Sequence, residues 1–464
     1  MSAEVYDVVF LGGGPAGYQG AIRAARLGGR VAVVEKAHLG GVCLNRGCIP
    51  TKTIKASVDL LRQARKGKSY GINIEGINPD VGAIIARKNR VVELLRGGIR
   101  HLFKENRIDL FEGSGRLAGV DVVEVNINDT LQRLRARKIV LATGSRPARP
   151  GVVAGDVPGV LTTDDILEIS EVPPSLLILG GGAVGVEMAA IMAELGSAVT
   201  LLEMETRILP REDAQMAEYL QSMLKRRKVK VLTGAGVAKV EGGPKVQVTM
   251  ADGKVLEADR LLLAAGRAAN VEDIGLADAG LKHDTGPLKV NRRMETAVQG
   301  IYAAGDITGG MWLAHVAFAG GIVAAENAMG MTAEMDYRVV PRCVFSSPEY
   351  AAVGLSEEEA RESHPVTAVS FPFKSLGMAQ AMGEWEGMVK LVVDAKTSQV
   401  LGGHIIGPHA GDLIAEIALA MQNNISARGI METIHAHPTL SEAVLEVAQG
   451  SLGRAIHMSP PERG

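Results

Sequence analysis

Apolar and polar positions follow the same order in two stretches of the chain. The first, YDVVFLGGGPAGYQGAIRAARLGGRVAVVEK, begins at Tyr6, and the second, PSLLILGGGAVGVEMAAIMAELGSAVTLLEM, begins at Pro174. Each contains a short apolar run, a glycine-rich turn, a stretch with helical periodicity and a second apolar run that ends in glutamate. This order predicts a strand, a helix and a second, parallel strand, which together form a βαβ unit.

Glycines with a defined spacing begin the helix of each stretch. Three of them have the G-x-G-x-x-G spacing in each copy, at a constant offset of 168 residues: Gly12, Gly14, Gly17, Gly180, Gly182 and Gly185. Glu35 and Glu203, which end the second strands, keep the same offset. Such glycines let backbone N–H groups approach a pyrophosphate, and the acid accepts hydrogen bonds from a ribose. One copy would be a weak signal, but two complete copies predict two dinucleotide-binding folds.

A second shared landmark follows each βαβ unit. RKIVLATGSRP in the first copy resembles DRLLLAAGRAA in the second, and both are apolar strands that end in a glycine turn. The first glycine and this turn are 132 residues apart in the first copy and 86 in the second, so the first copy contains about 46 extra residues. Cys43 and Cys48 lie within this surplus, which indicates chemistry added to a common binding fold.

These patterns predict an α/β fold with two Rossmann-like domains and a C-terminal α+β domain. The first dinucleotide-binding domain is predicted at residues 1–148 and the second at 149–270. A central domain at 271–338 contains GIYAAGDITGG, and the composition changes near YRVVPRCVF. The α+β domain is therefore predicted at 339–464.

Composition and charge narrow the function classes. Hydrophobic residues make up 47% and charged residues 22% of the 464 positions, which is typical of a globular protein. A net charge of −2 and 3% aromatic residues give no electrostatic or stacking basis for nucleic-acid or anionic-membrane binding. The most apolar long run contains Glu187, Glu194 and several glycines, so it predicts a strand, turn and helix and not a membrane span.

The N-terminal segment and the cysteine content indicate the compartment. The start, MSAEVYDVVFLGGG, has no basic leader or cleavage site, so we expect a cytoplasmic protein. Structural disulfides are rare there, and the chain has three cysteines. The close pair Cys43 and Cys48 therefore suggests metal or redox chemistry.

The spacing of this pair gives a weak case for metal. CxxxxC is not a usual zinc spacing, and no second Cys or His pair lies nearby, so no metal site is predicted. A regular helix would separate the two residues by roughly 7.5 Å along its axis, whereas a disulfide needs Cα atoms about 4.4–6.8 Å apart. A bridge therefore requires a departure from helical backbone, which Gly40, Gly41 and Gly47 could permit. The alternative is two unpaired buried cysteines.

The segment GGVCLNRGCIPTK resembles the redox-active site of the flavoprotein disulfide reductases. Within that class, the C-terminal HAHPTLSE is similar to the dihydrolipoamide dehydrogenase branch. The resemblance covers essentially the whole chain. It implies FAD and NAD as cofactors, a homodimer, and lipoyl-bearing partner proteins of a 2-oxoacid dehydrogenase or glycine cleavage complex. The implied reaction oxidises dihydrolipoyl groups through a disulfide and FAD to NAD⁺.

The resemblance also assigns roles to residues. Cys43 would be the interchange thiol, Cys48 the charge-transfer thiol against the flavin, and His437 with Glu442 the acid/base pair. Lys52 and Glu187 would form an ion pair beside the flavin. The other implied FAD contacts are Gly12, Gly14, Gly17, Glu35, Gly115, Thr143, Gly144, Ser145, Asp306, Trp312, Leu313, Ala314 and His315. The implied NAD contacts are Gly180, Gly182, Gly185, Glu187, Glu203, Val237 and Gly266.

Several residues have a second interpretation. Thr439 and Glu442 also fit a capping box for the last helix. Arg46, where the family commonly has a small apolar residue, either favours a neighbouring thiolate or points to solvent. His435 is expected to be structural, and Cys343 to be a buried hydrophobic residue.

Other functions are weighed against the same residues. A glutathione-reductase-like enzyme would favour basic residues near Glu203 for NADPH. A mercuric-reductase-like enzyme would have a C-terminal cysteine pair, but the chain ends HMSPPERG. A non-catalytic flavoprotein would lack a cysteine or the HPTLSE dyad. Arg207 stands beside Glu203 and Glu205 and is therefore expected to pair with an acid, which predicts a preference for NAD(H).

Overall fold

The computed structural model describes residues 5–153, 155–282 and 286–458. Its strands are, in chain order, β1 (Tyr6–Leu11), β2 (Val31–Glu35), β3 (Asp109–Glu112), β4 (Ser114–Leu117), β5 (Val122–Ile127), β6 (Thr130–Leu141), β7 (Ser145–Pro147), β8 (Val160–Leu161), β9 (Ser175–Leu179), β10 (Ala198–Leu202), β11 (Lys230–Leu232), β12 (Val237–Glu241), β13 (Val246–Met250), β14 (Val255–Ala258), β15 (Arg260–Leu263), β16 (Arg267–Ala269), β17 (Ile301–Ala303), β18 (Arg342–Val344), β19 (Glu349–Gly354), β20 (Val366–Pro372), β21 (Met388–Asp394) and β22 (Val400–Gly407).

The helices are, in chain order, α1 (Pro15–Arg26), α2 (Gly41–Arg46), α3 (Cys48–Arg65), α4 (Val81–Glu105), α5 (Ala183–Glu194), α6 (Ala214–Arg226), α7 (Ala314–Ala328), α8 (Glu357–Arg361), α9 (Gly377–Ala381), α10 (Ala410–Gln422), α11 (Ala427–Glu432) and α12 (Glu442–Ser451). Short 3₁₀ turns lie at Gly67–Tyr70, Asp165–Glu168, Ala277–Ala279, Asp306–Thr308 and Phe373–Ser375. None of the helices in the described ranges is both long and apolar enough to cross a membrane.

The chain forms two compact units. The first contains the described residues within 1–148, 162–171 and 266–336. Its parallel sheet has the order β3-β2-β1-β6-β17, and the N-terminal half of the long strand β6 pairs instead with an antiparallel extension, β5 and β4. The second unit contains the described residues within 149–161, 172–265 and 337–464. The four domains predicted from the sequence divide the chain more finely, and their boundaries stay a prediction.

The second unit repeats the first sheet and adds another. Its parallel sheet has the order β11-β10-β9-β15-β8, and β12, β13 and β14 form the antiparallel counterpart of the first unit's extension. Its C-terminal part is an antiparallel sheet of order β18-β19-β22-β21-β20, on which α10 and α12 pack. The predicted fold class, two Rossmann-like domains with an α+β domain, is confirmed.

Continuous apolar runs form the central strands because these strands are buried on both faces. In β1, Val8 and Phe10 belong to the core under α1 and α7, whereas Val9 and Leu11 belong to the core on the other face. The helices α1 and α7 also approach closely. A Cβ added to Gly321 would lie 2.1 Å from the carbonyl oxygen of Ala16, so the contact requires glycine.

Candidate active site

The first and third glycines of each motif are required by the protein's own packing. Gly12 and Gly180 both have φ of +112°, and a Cβ added to either would clash with the carbonyl oxygen of the residue that follows the neighbouring strand, Ala142 after β6 and Ala264 after β15. A Cβ added to Gly17 would lie 1.8 Å from the carbonyl oxygen of Gly12, and one added to Gly185 would lie 1.9 Å from that of Gly180. These glycines therefore fix a tight turn and a close contact between helix and strand.

The second glycine of each motif faces space that the protein does not fill. A Cβ added to Gly182 would have no atom within 4 Å, and one added to Gly14 would meet only the Cα of Gly41 at 3.7 Å. Both glycines are N-cap residues, of α5 and α1, and no side chain caps either helix. The first N–H groups of each helix therefore stay available to an anion. The residues present fit a pyrophosphate at each turn.

The acid that ends the second strand has the same hydrogen bonds in both copies. Glu35 accepts hydrogen bonds from the N–H groups of Gly13 at 2.8 Å and Ala37 at 2.7 Å. Glu203 accepts them from Gly181 at 2.6 Å and Glu205 at 2.9 Å, and only 7% of Glu203 is exposed. Each carboxylate thus fixes the glycine turn, and a ribose would bind to its remaining lone pairs.

The cysteine segment is two helices separated by one residue. Helix α2 ends at Arg46 and α3 begins at Cys48, while Gly47 between them has φ of −146° and ψ of −107°. Gly40 and Gly41, at the start of the segment, have φ of +90° and +56°. The predicted departure from helical backbone between Cys43 and Cys48 is confirmed, and it allows both side chains to meet.

The two thiols are hydrogen-bonded to each other. The bond to Cys48 is the main cause that raises the pKa of Cys43, followed by burial. The positive charge of Lys52 acts in the opposite direction, and the charge of Asp306 adds to the increase. The structure has the pair as thiols, so the disulfide form stays a prediction. The arrangement suits a pair that shares one proton, with the second sulfur as a thiolate acceptor.

This segment lies directly against the first glycine turn. The N–H of Gly40 donates to the carbonyl of Gly13 at 2.8 Å. A Cβ added to Gly41 would lie 2.7 Å from the Cα of Gly14. The side chain of Asn45 donates to the carbonyls of Leu39 and Gly41. The cysteine pair is therefore built next to the site that would bind the first dinucleotide.

A polar cluster joins the turn after β6 to the central segment. Ser145 donates to the carboxylate of Asp306, and Arg267 donates from Nε to the Ser145 hydroxyl at 2.7 Å.

A second pair of hydrogen bonds lies nearby. The hydroxyl of Thr143 donates to the carbonyl of Asn270 at 2.7 Å, and Asn270 donates back to the Thr143 carbonyl at 2.9 Å. Gly144 accepts from the Asn270 N–H. Sequence reasoning missed Arg267 and Asn270, and their position in GRAAN, directly after a repeated strand, was the available signal.

The remaining predicted FAD contacts lie in the first unit. A Cβ added to Gly115 would lie 2.5 Å from a side-chain carbon of Leu11 and 2.8 Å from one of Val34, so a larger residue there would have to displace these side chains. Trp312 has φ of +55°, and Leu313 is the N-cap of α7 without a side-chain hydrogen bond. Ala314 begins that helix, and His315 is exposed.

The remaining predicted NAD contacts are more dispersed. Glu187 is buried and accepts a hydrogen bond from the N–H of Phe345 at 2.8 Å. Its ion pair with Lys52 stays a prediction. Val237 is the first residue of β12 and is half-buried. Gly266 has φ of +119° and belongs to the first unit, where its carbonyl accepts from Ala148.

The C-terminal histidine and acid are paired. His437 donates from Nδ1 to Oε1 of Glu442 at 2.7 Å, and Oε2 accepts from the N–H of Thr439 at 2.8 Å. Burial raises the pKa of Glu442, but the hydrogen bonds from His437 and Thr439 hold this pKa below its usual value. The side chain of His437 is 79% exposed. The alternative capping box is only half formed, because the Thr439 N–H bonds to Glu442 but the Thr439 hydroxyl donates to the Ala436 carbonyl and α12 begins at Glu442.

Other predicted residues have structural contacts. His435 is bonded to the Thr433 carbonyl at 2.9 Å and the Glu416 carboxylate at 2.8 Å, which supports a structural role. Arg46 is half-exposed and lies 3.4 Å from Asp164. Cys343 is half-buried against the C-terminal core. No group of three or more His, Cys, Asp or Glu residues within 5–153, 155–282 and 286–458 is arranged to hold a metal ion.

Similarity to known proteins is consistent along the whole chain. Residues 6–321 match the family model of the pyridine nucleotide-disulphide oxidoreductases, and residues 340–448 match the dimerisation domain of that family. Dihydrolipoyl dehydrogenase of Bacillus subtilis is 40% identical, over 98% of this chain and 100% of its own length.

Two solved structures share the architecture. LpdA from Mycobacterium tuberculosis has a TM-score of 0.90 at 30% identity and covers 96% of this chain and 99% of its own. The HOCl-induced flavoprotein disulfide reductase RclA from Escherichia coli has a TM-score of 0.86 at 29% identity and covers 95% and 99%. The resemblance seen in the cysteine segment is confirmed. The chain is a member of the pyridine nucleotide-disulphide oxidoreductase family.

Proposed function

We propose that this protein is a dihydrolipoyl dehydrogenase, which oxidises protein-bound dihydrolipoyl groups and reduces NAD⁺. The observation behind this proposal is the hydrogen-bonded pair Cys43 and Cys48, built against the first glycine turn. The retained pair His437 and Glu442 supplies the base that dithiol oxidation needs. Full-length relatives with this enzyme's name support the same activity.

The two glycine turns divide the cofactors between them. FAD would bind at the turn of Gly12, Gly14 and Gly17, and NAD at that of Gly180, Gly182 and Gly185. Glu35 and Glu203 would accept hydrogen bonds from the respective riboses. When bound, FAD and NAD supply the two-electron transfer chemistry that protein side chains lack. Ser145 and Asp306, held by Arg267, would orient the first cofactor beside the cysteine pair.

The cysteine pair performs dithiol–disulfide exchange with the substrate. In the oxidised enzyme, one substrate thiolate attacks Cys43 and breaks the Cys43–Cys48 bond, forming a mixed disulfide and releasing Cys48 as a thiolate. The second substrate thiolate then attacks the substrate sulfur of the mixed disulfide, which closes the lipoyl ring and releases Cys43. The substrate is oxidised by two electrons and the enzyme disulfide is reduced by two. Lys52 stabilises the thiolate that results.

His437 takes the protons that the substrate thiols lose. Its Nδ1 proton is held by the Glu442 carboxylate, so Nε2 presents a lone pair to the substrate. The exposed His437 and the neighbouring Ile434, 97% exposed, lie in the dimerisation domain. We infer a homodimer in which the histidine of each subunit serves the cysteine pair of the other. Lipoyl-bearing proteins of a 2-oxoacid dehydrogenase or glycine cleavage complex would be the partners.

Steady-state assay of the purified FAD-loaded protein tests this function directly. NADH formation from dihydrolipoamide and NAD⁺ is expected, and Cys43→Ser should abolish it. Mixing Cys43→Ser with His437→Ala chains under subunit exchange should restore activity, because some heterodimers keep one intact site. Wild-type protein that bound FAD but produced no NADH from dihydrolipoamide would refute the assignment. Absence of restored activity would contradict the shared site.

A further inference from the structure

Gly13 and Gly181 lie between the first and second glycines of their motifs. The carbonyl of each accepts an equivalent hydrogen bond, but from a different loop. In the first unit, Gly13 accepts from Gly40, and the chain then enters the cysteine helices. In the second unit, Gly181 accepts from the N–H of Leu209 at 2.9 Å. The loop 204–213 thus occupies the place of the cysteine segment. It contains no cysteine, so its contacts indicate what it does instead.

The loop 204–213 is hydrogen-bonded to the Glu203 carboxylate as well as to the carbonyl of Gly181 in the second glycine turn. Its N–H at Glu205 donates to the carboxylate of Glu203, whose other oxygen accepts from Gly181. Leu209 is buried with φ of +46°, and its carbonyl accepts from the N–H of Glu212. Movement of this loop would therefore displace the acid and the glycine turn together.

The end of the loop is anchored in the C-terminal antiparallel sheet. Glu212 accepts from Nε of Arg342 at 2.9 Å and from the hydroxyl of Tyr350 at 2.7 Å. Asp213 is 0% exposed and accepts from Nζ of Lys390 at 2.8 Å. Arg342, Tyr350 and Lys390 come from three different strands, β18, β19 and β21. Because these charges are largely buried, each pair holds its geometry strongly once formed.

We propose that Glu212 and Asp213 are positioning residues for the dinucleotide at the second glycine turn. This inference rests on the proposed function, in which that turn binds NAD. Anchoring the loop holds the Gly181 carbonyl and the Glu203 carboxylate in the binding geometry before the nucleotide arrives. A preorganised site loses less conformational freedom on binding, so a loosened anchor weakens nucleotide affinity. It should leave the dithiol reaction at Cys43 and Cys48 unchanged.

Glu212→Gln in the FAD-loaded protein tests the anchor. The glutamine keeps the size of the side chain but removes the charge that Arg342 and Tyr350 bind. We expect the Kd for NADH, followed by anaerobic fluorescence titration of protein already reduced with dithionite so that NADH is not consumed, and the KM for NAD⁺ to rise about five- to tenfold, with kcat nearly constant. Anaerobic reduction by dihydrolipoamide without NAD⁺ should keep its wild-type rate. Tyr350→Phe, which removes the hydrogen bond to Glu212 and a long one of 3.5 Å to His404 but no charge, should raise both constants about two- to threefold and serves if Glu212→Gln fails to fold.

Glu386→Gln is the matched control. Arg227, which follows the C-terminal end of α6, donates to Glu386 at 2.7 Å. Glu386 lies just before β21, so this pair also joins α6 to the C-terminal part of the chain, but it does not contact the loop 204–213. Its NADH affinity should equal that of the wild type. Unchanged NADH affinity in folded Glu212→Gln or Tyr350→Phe, or an equal loss in Glu386→Gln, would overturn the proposal. NADH affinity tests the anchor, whereas dihydrolipoamide turnover tests the proposed dihydrolipoyl dehydrogenase activity. Failure of the anchor proposal can therefore be distinguished from failure of the proposed activity.

Discussion

Nδ1 of His437 lies 2.7 Å from Oε1 of Glu442, while the second oxygen of that carboxylate is held by the N–H of Thr439. A carboxylate accepts and cannot donate when ionised, and the pKa of Glu442 is lowered despite its burial. The proton of neutral His437 is therefore on Nδ1, and Nε2 is the basic atom. The acid fixes the tautomer as well as the ring orientation.

Replacing Glu442 should impair proton transfer. In Glu442→Gln, the amide can donate to Nδ1 and favour the wrong tautomer, so we expect kcat for dihydrolipoamide oxidation to fall about 10²- to 10⁴-fold. The rate of anaerobic flavin reduction by dihydrolipoamide, measured by stopped flow, reports this step. His435→Gln is the control, because His435 contacts Thr433 and Glu416 and should affect stability and not the rate. A wild-type rate in Glu442→Gln would contradict the role of the acid.

The hydrogen bond between the thiols predicts a difference in reactivity. Both Cys43→Ser and Cys48→Ser should abolish dithiol oxidation. In reduced Cys48→Ser, however, Cys43 loses its bond to Cys48, the largest cause of its raised pKa. Its thiolate fraction at pH 8 should therefore increase, and alkylation of Cys43 by iodoacetamide should become faster than in the reduced wild type. Peptide mapping against pH measures the rate at each cysteine. Slower alkylation of Cys43 in Cys48→Ser would show that the bond does not control its reactivity.

Alanine at Gly182 and at Gly185, the second and third glycines of the second motif, should affect the stability of the protein differently. Gly185→Ala would place Cβ 1.9 Å from the Gly180 carbonyl oxygen, so we expect destabilisation of about 2–4 kcal/mol. In Gly182→Ala, Cβ meets no protein atom within 4 Å, so stability should stay near that of the wild type.

Nucleotide binding separates these two variants further. Gly182→Ala should raise the KM for NAD⁺ about tenfold or more, because Cβ would enter the space proposed for the pyrophosphate. Thermal unfolding of the FAD-loaded variants and steady-state kinetics measure both effects. An unchanged KM in Gly182→Ala would mean that the open space at this glycine does not receive the nucleotide.

A buried histidine should make stability depend on pH. Burial lowers the pKa of His404 from 6.5, while Asp213 and Glu212 oppose this effect and Lys390 adds to it. Its Nε2 donates to the Leu355 carbonyl at 3.0 Å. Below about pH 6.5 the unfolded chain binds a proton that the folded protein excludes, so the free energy of unfolding decreases as pH falls through this range, by up to about 1.4 kcal/mol per pH unit.

His404→Gln should remove that dependence. Glutamine can still donate to the Leu355 carbonyl but does not titrate, so the slope of unfolding free energy between pH 6.5 and the folded pKa of His404 should be smaller. Urea unfolding of both proteins from pH 5 to 8 measures the slopes. Equal slopes would show that His404 is not the titrating group.

Glu203 and the contacts of Arg207 predict a preference for NAD⁺ over NADP⁺. Glu203 would repel the 2′-phosphate of NADP, and the only described contacts of the Arg207 guanidinium are to the carbonyls of Pro210 at 3.4 Å and Glu212 at 3.3 Å. Arg207 is thus held by backbone and not by Glu203 or Glu205, contrary to the expected pairing. We expect kcat/KM for NAD⁺ to exceed that for NADP⁺ by at least about 10²-fold. Equal efficiencies would refute the role of Glu203.

The sequence by itself determined the two βαβ units, the need for glycine in their turns and the position of the cysteine pair. These are local properties: strand and helix periodicity, backbone that only glycine adopts, and a spacing of two cysteines that regular helix does not bridge. The break at Gly47 and the matching bonds of Glu35 and Glu203 follow from residues within a few turns of one another or from an exact repeat.

Only the tertiary structure decided which distant residues hold these parts in place. Arg267 meets Ser145 from 122 positions away, and Lys390 meets Asp213 from 177. No periodic pattern relates such residues, since their contact depends on how strands from separate segments pair and pack. The capping box at Thr439 is only half formed, for a local reason: the Glu442 carboxylate binds the nearby His437 as well as the Thr439 N–H, and helix α12 starts at the acid itself. Local spacing identified the chemistry, whereas long-range packing decided its geometry.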